Sequence, residues 1–167
     1  MAKDVKLQVD FDPTLVSRYR LVGYENRDVA DTDFRNDRVD AGEVGAGHQV
    51  TALYEIELTG AGKQARAPIA SLRVRFKQPD GITATEAAFP MVGGPAPSFE
   101  NSSADFRFAF ATAAFADVLR GGQDAEHWSI AQIRDIASSA AGENPDRVEL
   151  VGLIQKAMTI TGRTASR

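Results

Sequence analysis

The sequence predicts an α+β fold, an antiparallel β-sandwich-like sheet of about five or six strands followed by a C-terminal three-helix bundle. Up to about residue 90, apolar and polar residues alternate with a period of two, which is typical of half-buried strands. Beyond the segment PMVGGPAP at residues 90–97, apolar residues recur every three or four positions, as in amphipathic helices. We therefore expect a β-sandwich-like subdomain at residues 1–98 and a helical subdomain at residues 99–167, packed together as one unit.

The strand predictions rest on this alternation and on the turns between the strands. The clearest strand follows the glycine-rich turn DAGEVGAG at residues 40–47 and runs over residues 50–58, with one apolar row facing a core. Further strands are predicted at residues 5–11, 19–24, 72–76 and 82–89. Proline and glycine between them, as in QPDG at residues 78–81, favour turns and an antiparallel arrangement.

Capping residues mark the starts of the three predicted helices. Ser129 and Gln132 form a capping box, in which each side chain bonds the backbone amide of the other residue. Ser102 opens the helix before it, and Asn144, followed by proline, opens the helix after it. Gly142 ends the middle helix. The short loops between these helices predict a small bundle.

The composition excludes several classes of function. The 167 residues include no cysteine and only two histidines, which excludes disulfides and thiolate metal sites. The net charge of −4, with both signs interspersed, lacks the basic surface that nucleic-acid-binding proteins use. No apolar run approaches the ~20 residues that span a bilayer. We expect no cofactor, no nucleic-acid partner, no membrane insertion, and either a cytosolic protein or a domain of a longer chain, because no signal peptide opens the sequence.

The sequence also lacks the residues of a nucleophilic active site. Such a site needs a serine, cysteine or threonine beside a base that a third group orients. There is no G-x-S-x-G motif, and neither His48 nor His127 belongs to such a set. Glu126 and His127 precede Trp128 at a helix start, where a polar capping loop explains them. We therefore predict that the chain is not an enzyme.

Acidic residues are concentrated before the clearest strand, which leaves a divalent-metal-binding module as an alternative function. Residues 31–40 are called the acidic loop here. Its carboxylates are Asp31, Asp33, Asp37 and Asp40. Calcium and magnesium prefer such oxygen ligands, but an EF-hand counted from Asp31 would need an oxygen ligand where Arg35 stands and a glycine where Asn36 stands. The competing interpretation is a solvated loop with aspartate–arginine pairs.

Two further patterns each have a functional and a structural interpretation. Arg73, Arg75 and Lys77 form the polar row of a predicted strand. This row suits either an anion site or a face that is solvated or protects a sheet edge from aggregation, and we favour the solvated or edge-protecting face. Phenylalanines of the first helix suit either a helical core or a small-ligand site between sheet and helices, and we favour the core. They are Phe106, Phe110 and Phe115.

Two long blocks of the sequence resemble a known family. They are YRLVGYENR at residues 19–27 and DFRNDRVDAGEVGAGHQVTALYEI at residues 33–56, with weaker matches in LRVRFKQPDG at residues 72–81 and DFRFAFATAAFADVLRGG at residues 105–122. These blocks resemble the C-terminal region of YfbK-type bacterial proteins, which carry a von Willebrand factor type A domain. The resemblance implies a domain of unknown function that follows the von Willebrand domain in a longer protein of the periplasm or cell envelope. It supplies no catalytic or binding residue.

We therefore predict a non-catalytic accessory domain. Its expected partners are the von Willebrand factor type A domain of the same chain and a further, unknown protein. The contact surface is predicted in the loop at residues 33–48, because this block contains more loop than a core explains. The candidate contact residues are Asp33, Arg35, Asp37, Asp40, Glu43 and His48.

Overall fold

The computed structural model describes residues 1–22, 29–47, 49–91, 96–121 and 128–161 of the chain. The chain divides into two compact units, Met1–Gly94 and Pro95–Arg167. The first unit contains the strands, in two antiparallel sheets, and the second contains the α-helices. The predicted α+β fold with C-terminal helices is confirmed.

The described residues form six strands and three α-helices. The strands are β1 (Ala2–Phe11), β2 (Val16–Val22), β3 (Gly42–Val44), β4 (Leu53–Leu58), β5 (Ala70–Lys77) and β6 (Ala84–Met91). The helices are α1 (Ala104–Arg120), α2 (Ile130–Ala141) and α3 (Pro145–Thr161). A four-stranded sheet has the order β3-β1-β5-β6, and β2 pairs with β4 in a two-stranded sheet. All of these pairs are antiparallel.

The region around the clearest predicted strand differs from the prediction. β4 begins at Leu53, and Val50, predicted to point into a core, is 81% exposed. The glycine-rich turn before it contains β3, which pairs with the start of β1. A hydrophobicity pattern could not find β3, because this strand consists of a glycine, a glutamate and a single apolar residue, Val44.

The four-stranded sheet has a charged face and an apolar face. Because side chains alternate along a strand, the registers of β1 with β5 and of β5 with β6 assign each residue to a face. The charged face carries Lys6, Gln8, Asp10, Arg73, Arg75, Lys77 and Glu86. The apolar face carries Leu7, Val9, Leu72, Val74, Phe76, Ala87, Phe89 and Met91. Since β5 lies between β1 and β6, the edge-protecting half of the prediction for its cationic row is wrong.

Aromatic contacts connect the two-stranded sheet to β1. The ring of Phe11 stacks on Tyr19 with centroids 4.4 Å apart and meets Tyr54 edge-on at 5.5 Å. The turn after β4 returns close to the chain before β2. A Cβ atom at Gly62 would lie 2.0 Å from the carbonyl oxygen of Leu15, so this turn has no room for a side chain.

The caps predicted for α2 and α3 are confirmed, and the cap of α1 lies one residue later than predicted. Ser129 and Gln132 form the capping box of α2, and the Asn144 side chain accepts hydrogen bonds from first-turn amides of α3. Ser103 caps α1 with its side chain. Ser102, the predicted cap, instead donates its hydroxyl to an upstream carbonyl oxygen at 2.6 Å.

The three helices share a hydrophobic core within the second unit. Its buried side chains are Ala111, Ala114, Phe115, Val118, Ile130, Ile133, Ala137 and Ile154. The apolar faces predicted from helical spacing include most of these positions. Helical spacing also places Leu119 of α1 and Val148 of α3 on apolar faces, and there the prediction is wrong, because these side chains are 57% and 53% exposed near the helix ends. Over the described residues, no helix is both long enough and apolar enough to cross a bilayer.

Candidate functional site

The acidic loop lies over the charged face of the four-stranded sheet. Lys6 on β1 is only 4% exposed. Its Nζ donates to the carbonyl oxygens of Asp33, at 3.2 Å, and Asn36, at 2.5 Å. The ring of Phe34, between these two carbonyls in the sequence, is also buried. The buried Lys6 ammonium group therefore holds the loop on the sheet, and burial of Phe34 shows that the loop is packed into the unit.

Ion pairs join the acidic loop to β5 and β6. The Arg35 guanidinium donates two hydrogen bonds to the Glu86 carboxylate, at 2.9 and 2.8 Å. Asp37 accepts from Arg75 at 2.9 Å. Glu86 also lies 3.7 Å from Arg73 and 3.9 Å from Arg75, so one carboxylate serves three guanidinium groups. Arg35 and Asp37, predicted to contact a partner protein, thus already have partners within the domain.

Asp4 attaches the end of the loop at a bulge in β1. Its φ is positive, at 52°, and the register of β1 shifts beside it against both β3 and β5. The Asp4 carboxylate accepts a hydrogen bond from Lys77 at 2.6 Å, and the nearby backbone amide of Ala41 also lowers its pKa. Aspartate adopts positive φ more readily than most residues, and a bulge changes the direction of a side chain. The irregularity in β1 therefore brings one carboxylate to both β5 and the loop.

These contacts lower the pKa values of the carboxylates involved. Hydrogen bonds from Arg35 hold the pKa of Glu86 below its usual value. The hydrogen bond from Arg75 likewise lowers the pKa of Asp37, and Lys77 lowers that of Asp4 in the same way. Partial desolvation opposes each shift but is the smaller effect. The charged face therefore favours ionised carboxylates.

We expect the stability of the first unit to decrease as the pH falls below about 4.5, where carboxylates of an unfolded chain begin to protonate. Because the folded pKa values are lowered, stabilisation that is present above the unfolded pKa is lost as the pH falls through the folded pKa. Glu86→Gln should lower the melting temperature at neutral pH and flatten its dependence on pH in the acid range. Melting curves measured from about pH 7 to pH 2.5 test this.

The matched control for this titration is Glu57→Gln, which alters an exposed glutamate on β4. It should leave the melting temperature and its acid dependence close to those of the wild type. Equal pH profiles for wild type and Glu86→Gln would contradict the assigned role of the Glu86 carboxylate.

The remaining predicted contact residues lie in different settings. Asp33 accepts from the Asn36 side chain at 3.0 Å, so its carboxylate stabilises a turn within the loop. Asp40, the last residue of the acidic loop, and Glu43, on β3, are exposed. His48 lies outside the described residues. Contact of this set with a partner stays a prediction, and Asp40 and Glu43 are its members best placed to meet one.

The carboxylates of the metal alternative do not converge on one point. Asp31 accepts from Gln8 at 3.2 Å on β1, whereas Asp37 pairs with Arg75 on β5. Within residues 1–22, 29–47, 49–91, 96–121 and 128–161, no group of three or more histidine, aspartate or glutamate side chains is positioned to hold a metal ion. The geometry of the loop therefore gives the metal alternative no support.

The phenylalanines considered for a ligand cavity pack on other apolar groups. Phe115 is buried in the core of the helical unit. Phe106 and Phe110 meet the ring of Phe99 edge-on, at 6.3 and 5.1 Å, and Phe110 also meets Trp128 at 5.0 Å. Glutamate and histidine at positions 126 and 127 lie outside the described residues. Ring packing in a helical unit is a sufficient role for these side chains.

The apolar face of the four-stranded sheet is a surface that the sequence analysis did not single out. Leu7, Phe89 and Met91 on this face are 55%, 54% and 48% exposed. Val9 lies opposite Leu72, and Leu72 lies opposite Phe89, so apolar side chains continue across three adjacent strands. The prediction assigned apolar rows to a core and polar rows to solvent. In the four-stranded sheet the polar row is covered around Lys6, Arg75 and Lys77, and part of the apolar row is open.

Sequence reasoning also missed Lys6 and Glu86, which organise the charged face. Each belongs to the polar row of a predicted strand, and such rows are ordinarily solvated. A signal was present in the charges: the acidic loop and the cationic row of β5 carry opposite charges that can neutralise each other. Alternation along a strand cannot show which distant segment covers a row.

Two comparisons with known proteins agree on one relationship. A family model described as "Uncharacterized protein YfbK, C-terminal" matches residues 1–160. The uncharacterized protein YfbK of Escherichia coli (strain K12) is 37% identical over 179 aligned residues, which cover 96% of this chain and 30% of that protein. The chain thus spans less than a third of the length of this curated relative. No solved structure matches.

Proposed function

The chain belongs to the YfbK C-terminal domain family, as the resemblance in its sequence indicated, and from this membership we propose that it is a non-catalytic accessory domain that binds the von Willebrand factor type A domain of a longer YfbK-type protein. The family is uncharacterized, so membership by itself assigns no activity. The observation that carries the proposal is the apolar face of the four-stranded sheet, on which Leu7, Phe89 and Met91 are about half exposed.

This face has the character of a protein-contact surface. Isolated exposed apolar side chains are ordinary, whereas a continuous apolar patch with a polar rim is typical of interaction sites. Leu7, Phe89 and Met91 are each about half exposed, and the sheet register joins them through Val9 and Leu72. Large apolar side chains held on a regular sheet lose little conformational freedom when a partner covers them.

The opposite face of the sheet is unsuited to a large partner. The acidic loop already covers it, and Lys6, Glu86 and Arg75 form their contacts with that loop. A partner binding there would have to break these contacts before it could form its own.

The von Willebrand domain is the proposed partner for two reasons. The resemblance implies that this domain precedes the present one in YfbK-type proteins. In the Escherichia coli relative, about 70% of the chain lies outside the matched segment, so the domain has a large neighbour in the same polypeptide. A site at the bacterial cell envelope is part of the proposal and rests on the same resemblance.

Leu7→Asp should weaken binding of the domain to the von Willebrand factor type A domain of a YfbK-type protein by at least about tenfold, because the interface would bury an unpaired carboxylate. Isothermal titration calorimetry between the two purified domains measures this. Ile82→Asp, which alters a side chain that is 90% exposed outside the strands, is the control and should bind like the wild type. Absence of wild-type binding, or equal affinities for wild type and Leu7→Asp, would refute the proposal.

A further inference from the structure

The outer edge of the four-stranded sheet is a long and regular strand. β6 has eight residues and pairs with β5 at every position from Ala84 to Met91 without a register shift. Within the described residues it has no second neighbouring strand. Its outer backbone groups therefore form a row of hydrogen-bond donors and acceptors that another strand can meet.

β6 carries little of the protection that edge strands ordinarily have. Natural edge strands discourage pairing with lysine and other charges, with proline or with bulges. The one charged residue of β6, Glu86, is engaged with Arg35 on the charged face. Pro90 lies near one end of the strand and removes a single backbone donor. Such an edge suits a strand partner.

We propose that two copies of this chain pair through β6, antiparallel about Ala88, so that their four-stranded sheets join into one eight-stranded sheet. The sequence of β6 is complementary to itself in this register. On the apolar face Ala87 lies opposite Phe89 of the second copy, and Thr85 lies opposite Met91, so each large side chain meets a small one.

The same register also fits the charged face. Glu86 lies opposite Pro90 of the second copy, so the two glutamates do not face each other. At the twofold axis Ala88 lies opposite Ala88 of the second copy, and these small side chains allow the two strands to approach closely. In this register an odd-numbered residue always lies opposite an odd-numbered residue of the second copy. The apolar faces, which carry the odd-numbered residues of β6, therefore lie on the same side of the joined sheet. This is an isologous interface of the kind that forms closed dimers.

This pairing goes beyond binding of a von Willebrand domain and does not depend on it. Dimerisation uses the edge of β6, whereas the test of the accessory function alters Leu7 on β1, and β5 separates these two strands. Leu7→Asp should therefore leave the dimer intact. Failure of one proposal leaves the other standing.

A cysteine cross-link tests the register directly, because the natural chain contains no cysteine. In Ala88→Cys the two opposed Cα atoms would lie about 4.5 to 5.5 Å apart, within disulfide range. In the control Thr85→Cys, on the same strand, the two copies of residue 85 would be separated by six residue steps, or about 20 Å. Oxidation should convert Ala88→Cys, and not Thr85→Cys, into a covalent dimer on a non-reducing gel. Equal cross-linking of both variants, or none of either, would overturn the proposal.

An exchange of side-chain sizes provides a second, independent measurement in solution. Ala87→Phe places two large rings opposite each other and should weaken dimerisation at least about tenfold, as measured by analytical ultracentrifugation. Ala87→Phe combined with Phe89→Ala restores a large side chain opposite a small one and should recover the dimer. A monomeric wild type at about 100 μM, or a double variant no tighter than Ala87→Phe, would contradict the pairing.

Discussion

Ile133→Ala is expected to lower the free energy of unfolding of the helical unit by about 3 kcal/mol. Ile133 is fully buried among the side chains of the helical core, where Phe115 and Ile154 are also buried. Removing its side chain beyond Cβ loses the transfer free energy of the removed carbons and leaves a cavity. Alanine has the higher helix propensity, but this gain is only a few tenths of a kcal/mol. The packing loss therefore dominates.

Urea denaturation followed by tryptophan fluorescence suits this measurement. Trp128 is the one tryptophan of the chain, lies in the helical unit and contacts the ring of Phe110. Ile160→Ala makes the same chemical change at a position on α3 that is 84% exposed. It should change the free energy of unfolding by no more than about 0.5 kcal/mol. Equal effects at the two positions would show that Ile133 does not belong to a packed core.

The helices could be predicted from sequence because their signals are local. The capping box of Ser129 and Gln132 spans four residues, and the apolar stripe of an amphipathic helix repeats within one or two turns. The error at Val148 has a tertiary origin. Helical spacing shows which side chains lie on the same face of a helix. It does not show how much of that face a neighbouring helix covers, because this depends on packing.

The charged face could not be predicted because its contacts join distant parts of the chain. Arg35 and Glu86 are 51 residues apart, and Asp37 and Arg75 are 38 apart. The sequence showed an acidic loop and a cationic strand, and it predicted a solvated loop with aspartate–arginine pairs. It could not show that the partner of Asp37 lies on β5, or that the loop covers the sheet.

The same limit explains why the open apolar face was missed. A period of two divides the side chains of a strand into two rows, and hydrophobicity then favours the apolar row for the core. In this sheet the acidic loop covers part of the polar row, because buried Lys6 and the ion pairs of Arg35 and Asp37 fix the loop there. Leu7 and Phe89 lie on the other side, about half exposed. Which face is covered is decided by the loop, not by the strands.

Lys6 therefore contributes more to the stability of the first unit than a surface lysine does, because it fixes the acidic loop on the sheet. We expect Lys6→Met to lower the free energy of unfolding of this unit by about 2 kcal/mol. Burial of an ammonium group is unfavourable in itself, and replacing buried charges by apolar groups can be neutral or stabilising when every partner is also replaced. In Lys6→Met the groups that interact with the ammonium group remain in place. The carbonyl oxygens of Asp33 and Asn36 would lose a donor, and Asp4 and Asp37 would lose the favourable charge of the ammonium group. The free-energy cost of these unsatisfied groups should exceed the gain from no longer burying an ammonium group.

Comparison of two substitutions separates the hydrogen bonds of Lys6 from its packing. Methionine retains most of the apolar stem, whereas Lys6→Ala also leaves a cavity beneath the acidic loop and should cost about 3 to 4 kcal/mol. Lys63→Met, at an exposed lysine, is the control and should be close to neutral. Urea denaturation followed by circular dichroism measures all three. If Lys6→Met were as stable as the wild type, the loop would be held by Phe34 and the surface ion pairs alone, and Lys6 would have no special part in covering the charged face.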